Sequence, residues 1–496
     1  ELNTETVYYN SLISLRDETN NQTSFRSLAN IYAAYNIFKD LTFKSEFGTD
    51  IYDLREKNFW GRKTITGGPA GEAQNRSVRV INYNWENYLT YIKTLGVHHI
   101  NLVGGMSYQQ SNSIGSDIIG KGFPTDDFTN IDNAAEVTSY GGWEEATSYL
   151  SYFARANYKI NEKYFFTLSG RVDGSSRFGV DNRFGFFPAG SAGWIISQED
   201  FMAGIKDVLS YLKVRASYGI TGNSGIPDYA HLALYSGVNY AGRTGLEVTQ
   251  LQSRELGWEN TAQLDIGLDF GFFNNRLTGE FDWYQKRTTD LLLYRTLPAT
   301  SGFEGVWSNV GELENKGVEF ALHSNNLSGR LIWTTDFNLA FNKNTIIDIN
   351  GPEITPNSIN YVIEGQPIGV FNIVKYAGVD PDNGDALYYL SADSDETTNN
   401  YNLAEKQICG SPNPDFTGGF NNYFEFAGVD LNVLISFVYG NEIYNGGGVY
   451  QSANGDWFDN QTIDQLDRWQ NPGDITDVPQ ARLGDGNGTK VSSRYL

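Results

Sequence analysis

The stretch that most constrains the fold runs from Gly410 to Asn445, GSPNPDFTGGFNNYFEFAGVDLNVLISFVYGNEIYN. Phe416, Phe420, Phe424 and Phe426 fall on one face when it is read two residues at a time. Thr417, Gly419, Asn421 and Glu425 fall on the other. Beyond Ala427-Gly428 the alternation restarts, with Val429, Leu431, Val433, Ile435, Phe437 and Tyr439 opposite Asp430, Asn432, Ser436 and Gly440. Successive side chains of a strand point to opposite sides, so the segment is a hairpin with one apolar and one polar face. Its arms are longer than the roughly 5–6 residues usual in soluble sheets. They match the roughly 9–11 that a tilted strand needs to cross a bilayer. The segment reads as a transmembrane β-hairpin.

The same pattern recurs along the chain. Phe25, Ala29, Ile31, Ala33 and Tyr35 share a face, which continues after a turn at 36–40 into Leu41, Phe43, Phe47 and Ile51. Ile81, Tyr83, Trp85, Leu89 and Tyr91 answer Ile100, Leu102, Met106 and Tyr108, and Leu150 to Tyr158 turn at Asn161-Glu162 into Tyr164 to Val172. The clearest case is 261–283. There Ala262, Leu264, Ile266, Leu268, Phe270 and Phe272 oppose Gln263, Asp265 and Asp269, and Asn274-Asn275 supplies turn chemistry. With a first strand near Val7–Leu15, the pattern predicts about 15 strands. The one clear helical signal is Glu199 to Leu209. Long polar connections are expected at 52–77, 113–142, 223–256, 293–308, 347–414 and 442–493, with short turns at the other end. Outer-membrane barrels show this asymmetry.

Composition agrees with an all-β transmembrane antiparallel β-barrel. The hydrophobic fraction is 40% and mean hydropathy −0.40, with no run near the ~18 apolar residues of a membrane helix. A barrel wall is apolar only at every second residue, so bulk hydropathy does not reveal it. Aromatic residues make up 14%, enough for the girdles of such a wall. Cys409 is the only cysteine, which excludes an internal disulfide. A net charge of −23 argues against a nucleic-acid partner, since phosphate binding needs Lys and Arg.

Several segments carry a more specific resemblance: SGRVDGSSRFG (Ser169–Gly179), NRFGFFPAGSAGW (Asn182–Trp194) and the 37 residues from Leu256 to Leu292. So do SNVGELENKGVEF (Ser308–Phe320), GSPNPDFTGGF (Gly410–Phe420) and LDRWQNPGDITDVP (Leu466–Pro479). In this order they resemble the barrel of the SusC/RagA family of TonB-dependent outer-membrane transporters of Bacteroidetes. The likeness covers about Ser169 to the end, and Leu2–Asn157 fits more loosely. It implies a 22-stranded barrel whose lumen is plugged. It also implies partners: a SusD-like surface lipoprotein, TonB acting through a segment not in this sequence, and outer-membrane lipids. On that pattern the chain is the central barrel portion, without plug domain, TonB box or C-terminal strands. The implied function is energy-dependent import of an oligosaccharide or oligopeptide. The residues alone leave open a passive substrate-specific porin or a surface adhesin.

No catalytic constellation is legible, and no cofactor is expected. His98, His99, His231 and His323 lack metal-ligand spacing, and HExxH and Walker A patterns are absent. Asp380, Asp382 and Asp385 in DPDNGD are the candidates for a hard cation such as calcium. The loop fails EF-hand spacing, because Gly384 comes one residue early and Ser391 stands where Glu is required. Arg171, Asp173, Tyr240 and Trp307 are the substrate-binding candidates; the first two face the lumen with Lys213, Arg215 and Asp269, where these charges are expected to contact the plug of such a barrel in preference to a solute. Trp60, Trp457 and Trp469 are further loop aromatics able to stack on sugars or pack on peptides, and girdle or loop-core packing accounts for them equally well. The phase of 277–284 gives a direct test. Phe281 and Trp283 should face lipid and Glu280 and Asp282 the lumen, since a one-residue slip exposes carboxylates to hydrocarbon. A lipid-confined label should react with Phe281→Cys and not with Asp282→Cys; the opposite result reverses the faces.

Overall fold

The computed structural model describes residues 11–351, 354–355, 357–454, 460–482 and 489–496. Fourteen long strands are hydrogen-bonded in sequence order. They are β1 (Glu18–Phe38), β2 (Leu41–Trp60), β3 (Glu72–Leu95), β4 (His98–Lys121), β5 (Glu136–Ile160), β6 (Tyr164–Ser175) and β7 (Phe184–Ile195). Then follow β8 (Leu209–Asn223), β9 (Glu259–Phe272), β10 (Leu277–Thr289), β11 (Glu312–Ser328), β12 (Leu331–Asp348), β13 (Phe416–Phe426) and β14 (Val429–Tyr439). Among the described residues no helix is long and apolar enough to cross a membrane, which says nothing of strands. The strands carry the architecture.

The chain divides into two compact units, described separately. The first comprises Glu1–Gly190, Thr221–Glu259 and Leu292–Asn309; the second Ser191–Ile220, Asn260–Leu291 and Val310–Leu496. In the first, the antiparallel register places Ile31 opposite Phe47, Phe47 opposite Trp85, Trp85 opposite Tyr108 and Tyr108 opposite Leu150. In the second, Leu268, Phe281, Phe320 and Leu339 form one such row, and Ile266, Trp283, Val318 and Phe341 the row above it. The other face of these strands carries Asp269 opposite Glu280 and His323 opposite Asp336. Because the side-chain period is two, one register assembles an apolar face and a polar face at once.

The wall has no core of its own. Many of its large apolar residues stay exposed, among them Phe281 at 42% and Leu431 at 58%. The buried clusters lie instead near the long connections. In the first unit Phe178, Ile226, Ala230 and Leu256 pack with Trp258, Leu292 and Trp307, while Phe59, Ala73 and Phe123 pack with Ile131 and Ala134. In the second, Val374, Ala386 and Tyr388 pack with Tyr376, Tyr401 and Ala404. Those loop segments bury apolar surface against protein in the ordinary way, whereas the wall leaves its apolar face free for another solvent.

Three expectations change. The connections expected at 52–77 and 113–142 shrink, because β2 runs to Trp60, β3 starts at Glu72, β4 runs to Lys121 and β5 starts at Glu136. Both faces are polar there, so alternation vanishes while the ladder continues. Pairs such as Arg79 with Asp53 (2.9 Å) and Gln74 with Asp117 (2.8 Å) hold the faces. Glu199–Leu209 contains a 3-10 segment, Asp200–Ile205, in place of an α-helix, followed directly by β8. Of the strand expected near Val7–Leu15, Ser11–Asp17 is helical and 7–10 lies outside the described residues. That leaves fourteen strands in the sheet rather than about 15.

The β13–β14 turn shows why two residues suffice. Ala427 and Gly428 both have positive φ, 52° and 83°, and Phe426 pairs with Val429. This is the geometry that twists with the strands, and it prefers Asn-Gly. Ala427→Asn should therefore stabilise the protein by about 0.5–1 kcal/mol, and Gly428→Val should cost about 1–2 kcal/mol. Urea unfolding of the detergent-solubilised full-length protein reads both shifts.

Candidate functional site

Two polar clefts lie on the face opposite the apolar rows, one in each unit. In the first unit, a cavity of about 600 Å³ is lined by Asn30, Asp50, Asn82, Asn84, Gln109, Ser111, Thr147 and Tyr149 among others. Amide and hydroxyl groups dominate it. The carboxylate of Asp50 is taken up by a two-pronged contact from Arg26, 2.9 Å in each arm. The Tyr149 hydroxyl lies 3.1 Å from the Ser224 hydroxyl, and Thr147 donates to Asp228. Asp228 also holds Arg177 at 2.8 Å. These bonds fix the loop ends around a lining with little free charge.

The second unit carries a charged arrangement. Arg215 on β8 reaches Asp269 at 3.0 Å, Asp282 at 2.6 Å and Asp265 at 3.5 Å, and Lys213 lies 3.3 Å from Asp269. Strand register brings the carboxylates together, since Gly267 pairs with Asp282 and Asp269 with Glu280. Gly267 makes room for the contact: a Cβ there would run into the Arg215 guanidinium. A planar fork with five donors suits three carboxylates better than an ammonium would. An adjoining cavity of about 600 Å³ is lined by Tyr211, Asp269, Glu280, His323, Asp336 and Asn338 among others. His323 Nδ1 lies 2.6 Å from Asp336 within it.

The residues singled out from sequence are placed as follows. Arg171 and Asp173 sit on β6 as a pair at 2.5 Å, with the Arg171 guanidinium 5.7 Å from the Phe153 ring centre. Tyr240 stands 81% exposed near the tip of a free hairpin, Leu234–Tyr240 with Arg243–Gln250. Trp307 packs 5.7 Å from the Tyr294 ring against the Phe178 cluster. No hydrogen bond, ion pair or ring contact among the described residues joins these four into one set. The Phe178–Leu256 core and Gly267 carried no separate signal in sequence, although both fall in segments on which the family resemblance rests.

The acidic loop is built as a turn. Asp380 accepts from the Asp382 backbone N–H and the Asn383 amide, both at 2.9 Å. Asp385 accepts from Asn399 at 2.8 Å and pairs with Arg482 at 2.8 Å. Among the described residues no group of three or more His, Cys, Asp or Glu is arranged to hold a metal. The Trp469 indole donates to the Pro381 carbonyl at 3.0 Å, so this loop aromatic is structural. Trp457 lies outside the described residues. Nearby, burial pushes the hydroxyls of Tyr376 and Tyr388 and the thiol of Cys409 above their ordinary titration range.

Comparison with known proteins agrees with this architecture. Residues 2–417 match the family described as TonB dependent receptor-like, beta-barrel. TonB-dependent receptor P3 of Formosa agariphila is 34% identical over 94% of this chain and 49% of its own length. TonB-dependent receptor SusC of Bacteroides thetaiotaomicron is 28% identical over 87% and 45%. A chain of the RagAB peptide transporter superposes with a TM-score of 0.88 at 26% identity, over 97% of this chain and 54% of that one. This chain belongs to the TonB-dependent receptor β-barrel family, in its SusC/RagA branch. It is an outer-membrane protein and spans about half the length of the curated relatives it matches. The apolar rows therefore face lipid and the two clefts face the lumen.

Arg215 separates a structural from an incidental charge. Arg215→Met leaves Asp265, Asp269 and Asp282 without their shared cation at a site only 31% exposed. The expected loss is about 2–3 kcal/mol, below the full cost at a sealed site. Adding Asp282→Asn should recover about half of it. Urea unfolding of the three full-length proteins checks the pattern, and equal stability throughout would leave the network without energetic weight.

Proposed function

We propose that this chain forms part of a TonB-coupled importer for an oligomeric nutrient and works with a SusD-like surface lipoprotein. The observation that carries the reading is the polar lumen face with its 600 Å³ cleft of amides and hydroxyls. Such a lining offers many moderate hydrogen bonds and little net charge, which fits a neutral, hydroxyl-rich oligosaccharide. It is not a catalytic arrangement. Among the described residues, the pairs joining acid to base, Arg215 with its aspartates and His323 with Asp336, lie beside no activated nucleophile, and transport is the activity of the family. Among the described residues the outer edges of β1 and β14 are each paired on one side only, and such ladders can take up further wall.

A peptide cargo is the second reading, favoured by the likeness to a chain of the RagAB peptide transporter. Uptake by cells expressing the full-length protein distinguishes these readings. Import of a neutral oligosaccharide too large for porins should fall to background when TonB is deleted. Asn82→Leu with Gln109→Leu should lower it about thirtyfold, since each hydrogen bond contributes about 1 kcal/mol. Unchanged uptake without TonB would point to a porin. Import of oligopeptide alone would transfer the proposal to peptides, and cleavage of the cargo by the purified protein would overturn it.

A further inference from the structure

On the lipid-facing side of the second unit, two lysines stand opposite one another where the apolar belt ends. Lys316 on β11 pairs directly with Lys343 on β12, immediately beyond the row of Trp283, Val318 and Phe341. Counted along the strands from the short β11–β12 turn, they lie 12 residues up, Ser328 to Lys316 and Leu331 to Lys343. A tilted strand needs roughly 9–11 residues to cross the hydrocarbon. The ammonium groups thus sit at the headgroup level, on the side of the long connections, which in outer-membrane barrels is extracellular.

Like charges directly opposite across a strand pair are unfavourable, so this arrangement calls for an anion. Lys316 has one within the chain, Glu314 at 2.6 Å, and that carboxylate is shared with Gln285 at 2.6 Å. Lys343 is exposed and makes no hydrogen bond or ion pair among the described residues. A cavity of about 540 Å³ opens here, lined by Trp283, Val318 and Phe341 below and by both lysines, with Asp415 the only carboxylate. The first unit offers a contrast. Above Phe25, Ile51 and Ile81 a similar cleft carries Arg55 and Arg79, but both reach Asp53, at 3.2 and 2.9 Å. Of these two clefts, only that of the second unit is lined by a cation with no ion pair among the described residues.

We propose that Lys316 and Lys343 form a binding site for the phosphate of an outer-leaflet glycolipid, whose acyl chains lie along the apolar row beneath. The apolar floor supplies the contact a free anion would not use, and the two ammonium groups supply the charge. The site rests on the outer-membrane placement and not on the transport reading, so its test is independent of uptake.

Native mass spectrometry of the detergent-solubilised full-length protein, titrated with bis-phosphorylated lipid A, reads the occupancy. Wild-type protein should retain lipid A at least about tenfold better than Lys316→Ala/Lys343→Ala, and better than it retains the enzymatically dephosphorylated lipid. Lys343→Gln, which disturbs no contact within the chain, should show most of the loss. It keeps the test sound if the double variant does not fold by heat-modifiability on gels. Equal retention by wild type and Lys343→Gln, or equal retention of the dephosphorylated lipid, overturns the proposal. Complete displacement by millimolar inorganic phosphate would make the site one for free anions and would overturn it too.

Discussion

The structure depends on backbone hydrogen bonding where water is missing. In the hydrocarbon each unsatisfied N–H or C=O costs several kcal/mol, so a strand can stay there only with a neighbour on both sides. Long antiparallel ladders such as β3 with β4, paired without a register shift from Glu72–Lys121 to Leu95–His98, meet that demand by connecting neighbours in sequence. Most other features follow. With the backbone bound in a ladder, side chains are sorted only by parity, one set to lipid and one to the lumen.

That sorting explains why the charged groups cluster as they do. Arg215 can meet Asp265, Asp269 and Asp282 because the β9–β10 register sets all three on the lumen face within two pairs of one another. The same register keeps Phe281 and Trp283 with Leu268 and Ile266 on the other side. A slip of one residue would carry carboxylates into lipid, so the network and the apolar belt specify the register together. Gly267 serves this geometry by leaving the space that the Arg215 guanidinium crosses.

Beyond the bilayer the rules change, and so does the molecule. β2 to β5 continue for 20 to 25 residues, far more than a crossing needs, and their upper ends are held by polar pairs on both faces. Small cores such as Phe178 with Leu256 and Val374 with Tyr388 then fold the connections as ordinary protein. The cleft of the first unit lies where these regimes meet. Its neutral lining is fixed by loop contacts such as Tyr149 with Ser224.

The sequence by itself determined the alternation, the faces and the hairpin turns, because each depends on neighbours one or two residues apart. Phe416 to Tyr439 folds as the hairpin its pattern required, and Phe281 and Asp282 fall on opposite faces as their parity dictates. Segment resemblance also carried the family, since Leu256–Leu292 and the other matched stretches are long and collinear. The extent of β2 to β5 was not legible, since alternation lapses once both faces are wet while the ladder continues. Nor were the partners of Arg215, the Asp385–Arg482 pair or the lysine pair at Lys316 and Lys343. These join residues tens of positions apart, and only strand pairing and loop packing decide which of many charges meet.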